Sequence, residues 1–223
     1  MIRNVIFDMG NVLLDWDPKT RLSQMGFSEI HQKVLYEEIF RTIEWSMLDA
    51  GKIEVDEAVR KMCERLAFHV KCGFYPFTEE EIPQLVKEVK YVMDHPKDLV
   101  RPEKETQFLP QALKDAGYHC YLLTNASVLF RDYQSEIPAF LAMEGIFVSA
   151  EHRMLKPDRE IYEAMLSEFA LKAEESVFID DMPINVAGAI FCGMEGVVYK
   201  ADVGRLLTDL GRLGVTINLR RTK

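Results

Sequence analysis

A doubly wound α/β fold, with a mostly parallel sheet and an inserted block of helices, is what this sequence predicts, on three observations. Five short runs of β-branched, aromatic or aliphatic residues are continuous rather than alternating, the pattern of strands buried on both faces. Helical periodicity fills the spaces between the last four of these runs. Between the first and second runs the strand pattern stops, and helical stripes alone carry the chain from about residue 16 to residue 98.

The first run, Val5-Ile6-Phe7, ends at Asp8. Leu35, Ile39, Ile43 and Met47 then recur every four residues. Val55, Val59, Met62 and Leu66 form a second stripe, and Ile82, Leu85, Val86, Val89 and Met93 a third, each the apolar face of a helix. Gly51, and the turn-forming residues at 72–76, separate them. The sheet pattern resumes with Cys120-Tyr121-Leu122-Leu123 before Thr124, then Ile146-Phe147-Val148 before Ser149. Ile161, Met165 and Phe169 mark a helix over 158–170, followed by Val177-Phe178-Ile179 before Asp180 and Val197-Val198-Tyr199 before Lys200. Ligands of such sheets bind outside the carboxyl ends of the strands. The predicted organisation is therefore a core of residues 1–15 and 99–223, with a helical cap of residues 16–98 over the strand ends.

Composition narrows the chemistry. The chain has 223 residues, 48% hydrophobic and 28% charged, enough to bury a real core and too apolar for disorder. Its formal charge of −9 argues against nucleic acid or an anionic membrane as partner. An anionic substrate would need a local positive device. Cys63, Cys72, Cys120 and Cys192 form no CxxC pair, which predicts reduced thiols and a cytoplasmic protein. Asp8 interrupts the N-terminal apolar stretch too early for a leader, and no run approaches the ~18 residues of a membrane span. The histidines lack metal-ligand spacing and are expected on the surface or in loops; the basic tail of Arg220, Arg221 and Lys223 is expected to be solvated.

Four elements carry candidate chemistry. Asp8 begins Asp8-Met9-Gly10-Asn11-Val12, where a carboxylate can face a crevice or simply cap a turn. Thr124 and Asn125 offer a hydroxyl and an amide that suit a phosphate oxygen or a helix cap. Lys156 precedes Pro157 and Asp158, which begin a predicted helix, so it is held near the strand ends. Asp180 and Asp181 close a hydrophobic strand; adjacent carboxylates there are costly without a cation, and hard oxygen ligands suit Mg²⁺.

In this order, and with a helical cap after the first strand, these motifs resemble the haloacid dehalogenase-like hydrolases over nearly the whole chain. The resemblance implies a Rossmann-like core and phosphatase activity on a small phosphorylated metabolite. It makes Asp8 a nucleophile that forms an aspartyl-phosphate, Thr124 a phosphate ligand, and Lys156 the residue that steadies the negative charge. It assigns Mg²⁺ to Asp8, the Gly10 carbonyl, Asp181 and Asp180, with Asp181 the more direct ligand and Asn185 in support.

Gly10 departs from the pattern of most phosphatases of that family, which carry a second aspartate there to protonate the leaving alkoxide and then activate water. A positioned acid/base is worth typically 10²–10⁴-fold. Asp15 and Asp17, on the loop into the cap, are candidate replacements or ordinary loop carboxylates. A good leaving group is the other solution. The opening motif also resembles the α-D-glucose-1-phosphatase-like branch, which implies a sugar phosphate. Trp16, between those two aspartates, is expected to line the substrate entrance. A phosphate-binding regulator without turnover, a phosphomutase and a haloacid dehalogenase are the alternative readings.

Overall fold

The computed structural model describes residues 1–103 and 105–217. In chain order its first elements are β1 (Asn4–Phe7), β2 (Leu14–Trp16), α1 (Pro18–Gln24), α2 (Glu29–Leu35), α3 (Ile43–Asp49), α4 (Val55–Lys71) and α5 (Ile82–Asp94). There follow β3 (Val100–Pro102), α6 (Leu109–Asp115), β4 (His119–Thr124), β5 (Gly145–Val148), α7 (Ser149–His152) and α8 (Arg159–Glu168). The chain continues through β6 (Ser176–Asp180), α9 (Pro183–Phe191), β7 (Glu195–Val198) and α10 (Val203–Arg212). The tail residues Arg220, Arg221 and Lys223 lie outside the described residues.

The five apolar runs all become strands of one parallel sheet, ordered β5-β4-β1-β6-β7. Successive side chains leave opposite faces of the sheet. Val5 and Phe7 enter one apolar cluster with Leu122 and Ile179, while Ile6 enters another with Leu123 and Phe178. Burial on both faces is why these strands read as unbroken apolar runs. The order also places β1 at the centre, between β4 and β6, so the connections diverge on either side of it. That divergence opens a crevice at the carboxyl end of β1.

The helices α1–α5 gather around a third apolar cluster that includes Leu35, Ile39, Met62, Leu66, Leu85 and Val89. Their polar interior is tied by Glu38, which accepts from Arg65 at 2.8 Å and Tyr75 at 2.6 Å and pairs with His69 at 2.6 Å. His31 likewise pairs with Glu88 at 2.7 Å, so these two histidines join helices rather than sit in loops. A short antiparallel ribbon, β2 with β3, joins this block to the sheet and was not anticipated from so few residues. The stripe from Leu35 to Met47 is not one helix. The chain passes through a π-turn at Tyr36–Phe40, then breaks at extended Thr42, whose Oγ accepts the Trp45 N–H and starts α3. Helix α8 begins at Arg159 rather than at Pro157, with Asp158 at its N-cap position.

Candidate active site

Strand register sets the first side chains of the site. Phe7 is level with Leu122 of β4 and Ile179 of β6, and the Asp8 N–H donates to the Ile179 carbonyl at 2.8 Å. Asp8, Thr124, Asp180 and Asp181 thus emerge at neighbouring strand ends, and Asp8, Thr124 and Asp180 are buried. Lys156 reaches them from the loop before α8. Its ammonium donates to Asp8 Oδ1 at 2.6 Å, Asp180 Oδ2 at 2.8 Å and the Leu123 carbonyl at 3.1 Å, which uses all its protons.

The lysine is held by Asn125. The Asn125 Oδ1 accepts the Lys156 N–H at 2.9 Å, and its Nδ2 donates to the Lys156 carbonyl at 3.0 Å. Its side chain thus holds the lysine backbone with Oδ1 and one Nδ2 proton, and Asn125 also lines the cleft, where its second Nδ2 proton is not used by these bonds. Asp180 is fixed in the same manner, accepting from the Met182 N–H at 2.7 Å and from Asn185 Nδ2 at 3.0 Å.

Electrostatics decide what such a cluster can hold. Oxygens of Asp8, Asp180 and Asp181 all lie within 4.8 Å of one another. Burial pushes the Asp8 carboxyl above its usual range, opposed by Lys156 and reinforced by Asp180. Burial also raises Asp181, against the hydrogen bond from Asn11. The carboxylates hold Lys156 above its ordinary value despite the desolvation of its ammonium. Three carboxylates and one ammonium leave a formal charge of −2. A Mg²⁺ ion, with oxygens at about 2.1 Å, spans about 4.2 Å between opposite ligands. Charge, donor hardness and spacing all fit that ion, with the Gly10 carbonyl on the adjoining turn.

The site opens into a cleft of about 470 Å³ between the sheet and the helical block. Its floor includes Asp8, Gly10, Thr124, Lys156 and Asp181; its walls are mainly apolar, including Leu14, Val92, Leu99 and Phe130, with Asp49, Ser127 and Tyr133 among them. Trp16 lines it too, stacked on Trp45 with ring centres 5.7 Å apart. Asp15 and Asp17 are not brought into this cleft. Asp15 lies in β2 and pairs with Arg21, while Asp17 caps α1 by accepting from the Thr20 N–H at 3.2 Å. Both carboxylates are occupied by α1, whose first turns need an N-cap and bring a basic partner.

Two residues were missed as site residues. Asn11 sits at a positive φ of 54° on the turn after β1, a conformation asparagine tolerates, and donates to Asp181. Asp49, the last residue of α3, lines the cleft together with Ser127. A carboxylate at a helix C-terminus opposes the helix dipole, which was the available signal.

The sequence model of haloacid dehalogenase-like hydrolases matches residues 2–193. A sesquiterpene phosphatase of Aspergillus oryzae is 28% identical over 196 residues, covering 86% of this chain and 87% of the relative. A drimenol cyclase of Aspergillus calidoustus is 24% identical over 94% of this chain, which spans 37% of that longer protein. Among solved structures, a haloacid dehalogenase-family enzyme of Bacteroides thetaiotaomicron, in complex with magnesium and inorganic phosphate, aligns with a TM-score of 0.62. The alignment, at 22% identity, covers 92% of this chain and 99% of that one. A predicted hydrolase of Porphyromonas gingivalis aligns at 0.66 and 19% identity, covering 96% and 98%. At these identities the structural likeness establishes the fold.

Proposed function

Because the chain belongs to the haloacid dehalogenase-like hydrolase family, we propose that it is a Mg²⁺-dependent phosphatase, cleaving a small phosphate monoester through an aspartyl-phosphate on Asp8. One observation carries this reading. Lys156 bridges Asp8 and Asp180 at 2.6 and 2.8 Å, and Asp181 completes a carboxylate site with the charge and spacing for one divalent cation.

In this account Asp8 is the nucleophile. Lys156 holds Oδ1, which leaves Oδ2 to form the bond to phosphorus. The Thr124 hydroxyl binds a transferring phosphoryl oxygen, and Lys156 steadies the charge as it shifts from nucleophile to phosphoryl group. Asn125, by gripping both sides of the Lys156 peptide backbone, keeps the ammonium in place. Asp8, the Gly10 carbonyl and Asp181 would hold Mg²⁺, with Asp180 in support, and the ion would supply positive charge that lowers the repulsion of nucleophile and phosphate.

The body of the substrate is apolar in this reading. Trp16, Trp45, Leu14, Val92, Leu99 and Phe130 supply aromatic and aliphatic walls, poor partners for the hydroxyls of a sugar. The sesquiterpene phosphatase relative supports the same preference. A hydrocarbon monoester, of terpenoid or long alkyl type, therefore replaces the sugar phosphate suggested by the opening motif.

The test is phosphate release from a long-chain alkyl phosphate, farnesyl phosphate, glucose 1-phosphate and p-nitrophenyl phosphate, with Mg²⁺ or with EDTA. The expected result is Mg²⁺-dependent release, at least tenfold higher kcat/KM for farnesyl than for glucose phosphate, and none in Asp8→Asn. Release unaffected by EDTA or by Asp8→Asn overturns the mechanism. A preference for glucose 1-phosphate overturns the substrate class.

A further inference from the structure

Phosphoryl transfer from an alkyl ester to Asp8 leaves an alkoxide that must be protonated, and the groups around Asp8 do not supply that proton. Lys156 donates to both carboxylates and to the Leu123 carbonyl, and the carboxylates of Asp8 and Asp181 are committed to nucleophile and cation. Gly10 has no side chain. Packing does not require this glycine: a Cβ there would meet Trp16 Cβ at 3.7 Å, an ordinary contact, and its φ is not positive. The acid must come from elsewhere in the cleft.

We propose that Asp49 is that acid: delivered by the last turn of α3, it protonates the leaving oxygen and then, as carboxylate, takes a proton from the attacking water. The assignment rests on the phosphatase reading above. Its geometry is fixed on the phosphate side of the cleft. Asp49 lines the cleft beside Ser127, three residues beyond Thr124 on the loop that leaves β4. The Ser149 hydroxyl donates to the Asp49 carbonyl at 2.5 Å and accepts the Ala126 N–H at 2.9 Å, tying the end of α3 to that same loop. Gly51 completes the docking. Its φ is +61°, and any Cβ there would lie 2.0 Å from the Ala150 carbonyl oxygen, so only glycine lets this turn approach the sheet domain.

The carboxylate itself is kept in reserve. Among the described residues no side chain gives it a hydrogen bond or a counter-charge, and it ends a helix whose dipole disfavours negative charge. Burial pushes it up to about 7, the range suited to donating and accepting a proton at neutral pH. An unpaired carboxylate in that position is a local conflict of the kind found at functional sites.

The steps balance. Asp8 Oδ bonds to phosphorus as the bond to the leaving oxygen breaks; that oxygen takes the electron pair and the Asp49 proton and departs as alcohol. Asp49 carboxylate then takes a proton from water, whose oxygen bonds to phosphorus. The bond to Asp8 breaks with its electron pair on Asp8, releasing phosphate and restoring protonated Asp49.

The test compares kcat/KM for a long-chain alkyl phosphate and for p-nitrophenyl phosphate, whose phenolate leaves without a proton. In Asp49→Asn the alkyl value is expected to fall about 10²–10⁴-fold, and the p-nitrophenyl value less than tenfold. A burst of nitrophenolate is expected as well, because the phosphoenzyme persists without its base. Mg²⁺ and inorganic phosphate binding, measured by calorimetry, stays within a factor of about three of wild type. Asp49→Ser reads the same ratio should the asparagine variant not fold. Equal losses for both esters, or an undiminished alkyl rate, overturn the Asp49 role alone. Wild type that releases no phosphate, or Asp8→Asn that retains full release, overturns the phosphatase reading and the Asp49 role with it.

Discussion

Asn11 donates from its side-chain amide to Asp181 Oδ2 at 3.1 Å, and its other end accepts the Trp16 N–H at 3.2 Å. One asparagine thus orients a proposed metal carboxylate and holds the first strand of the ribbon that leads into the helical block. Groups that orient a metal ligand typically contribute 10–100-fold to metal affinity. Asn11→Ala should therefore raise the Mg²⁺ concentration for half-maximal activity by at least tenfold, while kcat at saturating Mg²⁺ falls less. A Mg²⁺ titration of activity beside calorimetric Mg²⁺ binding checks this; unchanged half-saturation contradicts it.

Lys156 is the only cation among the described residues that pairs with Asp8 or Asp180. Removing one member of a buried ionic cluster costs about 3–5 kcal/mol, because the remaining charges stay buried without a partner. Lys156→Met should lose that much stability in urea unfolding as well as its activity. Adding Asp8→Asn should restore part of the lost stability and none of the activity. A double variant no more stable than Lys156→Met would show that the two charges are not coupled.

Asp49 predicts a dependence of stability on pH. Its carboxyl is raised from 3.8 to about 7 in the fold, so its favourable contribution is complete below pH ~4 and lost as pH rises through about 7. Tyr133 is the titratable side chain most affected by it, and burial together with the Asp49 charge raises that phenol. On the elements packed against α3, Arg65 pairs with Glu38 and Glu44, and Glu151 pairs with Arg131. Asp49→Asn should match wild type in Tm at pH 4 and exceed it by a few degrees at pH 8. A variant less stable than wild type at pH 8 contradicts the unpaired charge.

Trp16 and Trp45 stack where they line the cleft, a rigid apolar surface. Trp16→Ala and Trp45→Ala should each raise KM for farnesyl phosphate about tenfold or more, with the Ki of inorganic phosphate unchanged. Equal weakening of farnesyl phosphate and inorganic phosphate would place these rings in the fold rather than in substrate recognition.

The sheet was legible because its strands are buried on both faces, and Val5-Ile6-Phe7 and Val177-Phe178-Ile179 leave no other economical reading. Asp8, Thr124 and Asp180 were legible for the same reason, since each ends such a run. The helical stripe from Leu35 to Met47 misled because periodicity does not register a π-turn or a capping threonine at position 42. Asp15 and Asp17 misled by proximity in sequence; the ribbon and α1 turn them toward Arg21 and Thr20. Asp49 offered only the signal of a carboxylate ending a helix, because it is tertiary docking at Ser149 and Gly51 that brings it to the cleft. The ribbon of β2 and β3 was missed because Val100-Arg101-Pro102 is too short to show alternation.

The most direct test of the account is to trap the covalent phosphoenzyme. Enzyme turning over farnesyl phosphate with Mg²⁺ would be quenched in acid, digested and mapped by mass spectrometry. The account predicts one phosphoryl adduct, on Asp8, that accumulates in Asp49→Asn and is missing in Asp8→Asn. Sustained turnover with no adduct on Asp8, or with the phosphoryl group on another residue, would contradict it.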